Sequence, residues 1–186
     1  MRRLGVLLAS CALVGSALVP IQAGATTNND ESAVYQLHME APNTARSADG
    51  DLATLTGGGE FSFHPKSFMG EGTFTLTDEG TAMSGTWHAL DLLAFQPYGC
   101  GFVGTRTLPP NFCGGFILGR IVLIPSSGPR MEGILRVVCI IGKTPGPPFV
   151  GKNATEGINL DVPGVENYNH QVEPSANVFI RTVPGQ

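Results

Sequence analysis

Charge is scarce in this sequence. Asp, Glu, Lys and Arg make up only 14% of its 186 residues, where about 25% is usual for a soluble protein. Disorder needs the opposite balance, high charge with low apolarity, and here 42% of residues are hydrophobic. No run of Lys and Arg occurs in the body of the chain, and acids outnumber bases 15 to 11. That excess disfavours phosphate-rich partners, so neither a nucleic acid nor an anionic membrane surface is expected.

Catalytic and metal-binding motifs are also missing. No HEXXH is present, so the usual helical zinc pair is excluded. No GXSXG is present, which excludes an α/β-hydrolase nucleophile. Gly142-Lys143-Thr144 ends like a phosphate loop, but Val137 stands where the motif needs its first glycine, and Pro145 and Pro147 forbid the following helix. The stretch 161–170 (DVPGVENYNH) offers Asp161, Glu166, Asn167, Asn169 and His170, without the spacing of a calcium loop. No metal or other cofactor is expected. Helical periodicity and fixed-length repeats are absent after residue 25.

Residues 1–25 have the layout of a secretory signal: Arg2 and Arg3, an apolar run from Leu4 to Val19, then Ala23-Gly24-Ala25. Cleavage is expected after Ala25, leaving 26–186 as one domain in an extracellular or periplasmic setting. The apolar run is shorter than the ~20 residues of a membrane span, and no later segment is long enough. Leu8-Ala9-Ser10-Cys11 resembles a lipobox but comes too early in the apolar run. Loss of Arg2 and Arg3 leaves nine basic residues against fifteen acids, a net charge near −6.

The rest of the chain alternates with period two. Tyr35, Leu37 and Met39 share a face, as do Phe61 and Phe63, and Phe74 and Leu76. The stretch 72–87 reads as a hairpin turning at Asp78-Glu79-Gly80, with a long return strand from about Ala82 to Phe95 in which Gly85 predicts a bend or bulge. On that strand Trp87 and His88 point to opposite faces. His88 and Asp91 also fall on opposite faces, which excludes a simple acid–base dyad. A second, more apolar hairpin joins 116–125 to 131–142, with Leu135, Val137, Cys139 and Ile141 on one face. Strands are expected within 156–164 (EGINLDVPG) and 177–184 (NVFIRTVP). Residues 41–58 read as a long loop with a short strand at 52–56, and 142–155 as a Pro/Gly-rich connection. The sum is an all-β, antiparallel single domain of seven or eight strands, either a small closed barrel or a β-sandwich.

Three cysteines follow the signal: Cys100, Cys113 and Cys139. A Cys100–Cys113 disulfide would staple a loop that lacks strand periodicity and contribute about 3 kcal/mol by restricting the unfolded chain. A bridge from Cys139 to either loop cysteine is the alternative. In the stapled loop Tyr98, Phe102, Arg106 and Phe112 form a candidate contact surface, with Trp87 and His88 as further candidate ligand-binding residues.

The blocks GTFTLTDEGTAMSGTW, PPNFCGG and GINLDVPGVENYN resemble those of a group of secreted bacterial all-β proteins of unassigned function, over residues 57–183. The resemblance implies no activity. Function is therefore open between classes: a non-catalytic secreted domain that binds a small apolar ligand or a protein or surface partner, a small-barrel enzyme of isomerase or cyclase type, or a structural cell-surface component. An apolar ligand would need a cavity lined by Phe61, Phe63, Phe74, Leu76 and Trp87; a filled core would point to a partner instead.

Overall fold

A computed structural model describes residues 33–40, 42–143 and 155–182. The signal segment, its cleavage site and most of the 142–155 connection lie outside the described residues. The described chain is all-β: β1 (Val34–Met39), β2 (Asn43–Arg46), β3 (Leu52–Ser62), β4 (Ser67–Asp78), β5 (Thr81–Cys100), β6 (Phe102–Val103), β7 (Arg106–Thr107), β8 (Phe112–Pro125), β9 (Met131–Cys139), β10 (Gly157–Val162), β11 (Glu166–Tyr168), β12 (His170–Val172) and β13 (Asn177–Thr182). All pairings are antiparallel.

Hydrogen bonding closes on itself. From β8 the ladder runs through β13, β1, β3, β4 and β5 and returns to β8. The fold is therefore barrel-like rather than two stacked sheets. Strand β9 continues from the other part of β8, with β10 and β11 beyond it, while β2 and β12 extend from β3.

Two readings of the sequence change here. The stretch 41–58 holds β2 and the first half of an eleven-residue β3, and 60–62 continues that same strand. The bulges of β5 sit not at Gly85 but between Ala89 and Asp91, Leu92 and Ala94, and Pro97 and Gly99. Gly85 is in regular register with Pro125.

Inward side chains form one cluster. Tyr35, Phe61, Phe95 and Phe179 meet at one end, with ring centroids 5.0–5.2 Å apart from Tyr35 and Phe61 to Phe95, and from Phe61 to Phe179. Phe74, Leu76, Ile117, Ile121, Leu123, Leu135 and Val137 continue it. Burying each such side chain contributes about 2 kcal/mol. Trp87 is fully buried and reaches across β4, where its Nε1–H donates to the carbonyl oxygen of Thr56 on β3 at 2.9 Å. The crossing is open because residue 72 is glycine. A β-carbon there would lie 2.6 Å from the indole nitrogen and overlap the Thr56 carbonyl.

The β4–β5 turn places Glu79 at φ 49° and Gly80 at φ 77°, the backbone of a two-residue hairpin with both central residues left-handed. Glu79 is held there by its N–H donating to Asp51 Oδ2 at 3.1 Å.

Gly72→Ala removes the space through which Trp87 crosses. It should destabilise the fold by on the order of 3 kcal/mol, read as a lower urea midpoint with an unchanged slope.

Candidate functional site

Cys100 and Cys113 stand opposite each other in the β5–β8 register and are disulfide-bonded. The loop they close is not irregular, as its sequence suggests. It holds the small hairpin β6–β7, with Phe102 opposite Thr107 and Val103 opposite Arg106. Its backbone is tied down at the base: Gly101 N–H donates to Phe112 O at 2.8 Å, Leu108 N–H to Gly101 O at 2.8 Å, and Phe112 N–H to Pro109 O at 2.9 Å. From outside the loop, Gly142 N–H donates to Phe102 O at 2.7 Å and Lys143 N–H to Tyr98 O at 2.6 Å.

Of the four loop candidates, two face solvent. Phe102 is 42% exposed. Arg106 is exposed and makes no ion pair among the described residues. Phe112 is half-buried against the core. Tyr98 is buried beside Val138, Phe116 and Ile140. Burial raises its hydroxyl pKa, with Arg136 opposing and Cys139 adding to the shift, and its oxygen has no hydrogen-bond partner among the described groups. Tyr98 and Phe112 support the hairpin; Phe102 and Arg106 are what it presents.

Trp87 and His88 lie elsewhere. Trp87 is a core residue with its N–H satisfied, as above. His88 is on the outer wall, its Nδ1 3.5 Å from Glu71 Oε2. The expectation that His88 and Asp91 face opposite ways is corrected by the first β5 bulge. His88 pairs with Val122 and Asp91 with Arg120, two residues apart on β8, so both point outward. Asp91 is engaged by Arg120, whose Nε donates to Oδ2 at 3.0 Å and whose Nη1 lies 3.6 Å from Glu132. Along β1 and β3, a groove of about 470 Å3 is lined by Gln36, Leu37, His38, Gly57, Gly58, Gly59 and Glu60. Among the described residues no group of three His, Cys, Asp or Glu side chains is placed to hold a metal ion.

The hairpin sits at a basic end of the barrel that the sequence order hides. Between Asp91 and Glu156 the only acid is Glu132. Arg106 lies in the loop that the disulfide closes and Lys143 bonds back to Tyr98 beside it; Arg181 stands near the end of β13 opposite Tyr35, and Lys66, in the β3–β4 turn, donates to Leu93 O at 3.0 Å. Of the acids at this end, Glu156 accepts hydrogen bonds from the backbone N–H groups of Asn177 and Ile140, while Glu60 is exposed on β3, level with Phe112 through Gln36 and Ile180. The opposite end gathers Asp49, Asp51, Asp78, Glu79, Asp161 and Glu166 in and beside its turns, with Arg46 and Arg130 among them. Their field is visible at Tyr168, whose hydroxyl donates to Thr77 O at 2.8 Å. Its pKa is pushed up to about 12, first by burial and then by Asp78, Asp51 and Glu166.

Cys139 is free and fully buried, and burial pushes its thiol up to about 12. Its Sγ–H donates to Cys113 O at 3.5 Å. It behaves as a small apolar group in the core.

Two outcomes check this geometry. Cys100→Ser with Cys113→Ser should cost about 3 kcal/mol in denaturant unfolding, and hydrogen exchange should rise at Gly101, Leu108 and Phe112. Glu156 has its pKa raised above 4.5, chiefly by burial. The folded protein thus holds this proton more tightly than the unfolded chain, so the cost of the buried charge is full at neutral pH and falls as pH drops through the folded pKa. The stability difference between the parent and Glu156→Gln should shift in the parent's favour between neutral pH and 4.5, measured by thermal unfolding across that range.

Compared with protein-family models, curated proteins and solved structures, the chain matches none.

Proposed function

We propose that this protein is an exported, non-catalytic barrel domain that binds a protein partner through its disulfide-pinned end. The observation that carries the reading is the β6–β7 hairpin. It presents an aromatic ring and an arginine to solvent on a backbone fixed by a disulfide and by bonds from Gly101, Leu108, Phe112 and Gly142. Aromatic and arginine side chains dominate binding energy at protein interfaces. Pre-ordering the loop removes entropy that would otherwise oppose association. The disulfide fits an oxidising compartment, and no described helix is long and apolar enough to cross a membrane.

The interior favours a partner over an apolar ligand. Of the five residues such a ligand would need, Phe61, Phe74, Leu76 and Trp87 are at most 2% exposed and belong to one packed cluster, and Phe63 is half-buried against it. The local charge selects the partner's chemistry. Arg106 and Lys143 flank Phe102, so the fitting surface is acidic with an apolar residue at its centre.

Selection of random peptides on the immobilised protein tests this. Acidic sequences with one large apolar residue should be enriched, and the enrichment should vanish on Phe102→Ala with Arg106→Gln. No enrichment, or the same enrichment on the double variant, would overturn the reading.

A further inference from the structure

We infer that the groove along β1 and β3 is a second binding site, and that its ligand is a neutral glycan. The site is separate from the disulfide hairpin, because β1 and β13 lie between Glu60 and Phe112. The inference does not rest on the partner-binding reading above.

One missing side chain makes the groove. On β3, Leu55 and Phe61 point inward and are fully buried, so Thr56, Gly58 and Glu60 point outward. Gly58 pairs with His38 on β1 and with Glu71 on β4, and Glu60 pairs with Gln36 and Met69. The outward neighbours of Gly58 are therefore His38 and Glu71 across the strands, and Thr56 and Glu60 along β3. Gly58 leaves a notch in their midst, floored by the backbone of Gly57, Gly58 and Gly59. The main chains are too close here for a larger residue. A β-carbon on Gly58 would lie 2.3 Å from the Leu37 carbonyl oxygen.

The rim selects the ligand. Gln36, His38, Glu60 and Glu71 are exposed and offer an amide, an imidazole and two carboxylates. Beside them the hydroxyls of Thr56 and Thr73 share a hydrogen bond at 2.7 Å. Glu71 is engaged by His88 at 3.5 Å, while Glu60 makes no ion pair among the described residues. No Lys or Arg belongs to this set, so an anion finds no partner and meets two carboxylates. No aromatic or arginine anchor belongs to it either, which disfavours a protein interface. The polar rim disfavours a purely apolar ligand. What fits is an uncharged ligand that both donates and accepts hydrogen bonds at many points. Neighbouring sugar hydroxyls donate to a carboxylate and accept from an amide or an imidazole N–H. Met69, 64% exposed and opposite Glu60, gives the C–H face of a sugar ring an apolar contact. Adjacent strands lie about 4.8 Å apart, close to the length of one residue in an extended β-linked hexose chain, so successive sugars meet successive strands.

Amide NMR of the protein titrated with cellohexaose, chitohexaose, maltohexaose and hexagalacturonate tests this. At least one of the three neutral sugars should shift the signals of Gly57, Gly58, Gly59 and His38, and hexagalacturonate should not. His38→Ala and Glu60→Ala change only exposed side chains, so the fold persists. Each should weaken binding about tenfold, the effect of losing one hydrogen bond. Phe102→Ala with Arg106→Gln should leave this binding unchanged, which keeps its fate separate from that of the hairpin reading. The inference is overturned if no neutral sugar shifts these signals or if the shifts fall on another face. It is equally overturned if His38→Ala and Glu60→Ala bind as the parent does, or if hexagalacturonate binds as well as the neutral sugars.

Discussion

The architecture depends on strand β8 being divided along one edge. Its other edge is bonded to β5 from Cys113 to Pro125. The divided edge gives Phe112 and Cys113 to β13, and Gly115 to Leu123 to β9. That division lets the ladder return through β13 and β1 and close, while β9 leads outward to β10. It also creates a seam where β13 and β9 lie side by side without a ladder. Backbone groups in a buried seam need partners. The side chain of Asn177 supplies them: its Nδ2 donates to Val138 O and Asn43 Oδ1 at 3.0 Å, and to Gly157 O at 3.5 Å. Glu156 does the same for the N–H groups of Asn177 and Ile140. A buried amide and a partly buried carboxylate stand in for missing strand pairing.

Much of this fold was legible because inward and outward residues differ in apolarity. Tyr35 and Leu37, Phe74 and Leu76, and Leu135, Val137 and Cys139 all point inward as their alternation implies, and the turn at Asp78-Glu79-Gly80 is where its residues place it. Strand β2, and the continuity of β3 from the expected strand at 52–56 through to 60–62, were not legible. Their inward residues include Ala45 and Ala53, which are as buried as any leucine here but give too little contrast to mark a strand. The β5 bulges were hidden for another reason. A bulge changes the count of residues, not their type, so Leu90 and Leu93 lie exposed on a strand whose alternation assigns Leu93 inward. The same slip brought Asp91 round to the face of His88. At the candidate site the disulfide was readable from spacing, but the roles of Tyr98 and Phe102 were not. Two aromatics four residues apart in a loop look alike until Gly142 and Lys143 are seen to bond back over Tyr98 and Phe102.

The charge pattern was the least legible feature, since it depends on which turns meet. Lys66, Arg106 and Lys143 are far apart in sequence and share an end only because β3, β5 and β9 all finish there. Asp51, Asp78 and Glu166 converge on Tyr168 from three different turns. The wall keeps charges of its own, Glu71 beside His88 and both Asp91 and Glu132 beside Arg120.

Rigidity and charge act together at the disulfide end. A flexible loop with one exposed phenylalanine would lose in ordering much of what the ring gains by burial. Here that ordering is done during folding, by the Cys100–Cys113 bond and the backbone bonds around it. On the proposed partner-binding reading, Arg106 and Lys143 act mainly on encounter: facing charges would raise the rate at which an acidic surface finds this end and fix its orientation, while residence would follow from how well the ring is seated. Salt and the shape of the seat thus control different steps, and a partner that satisfies only the charge will arrive quickly and leave quickly.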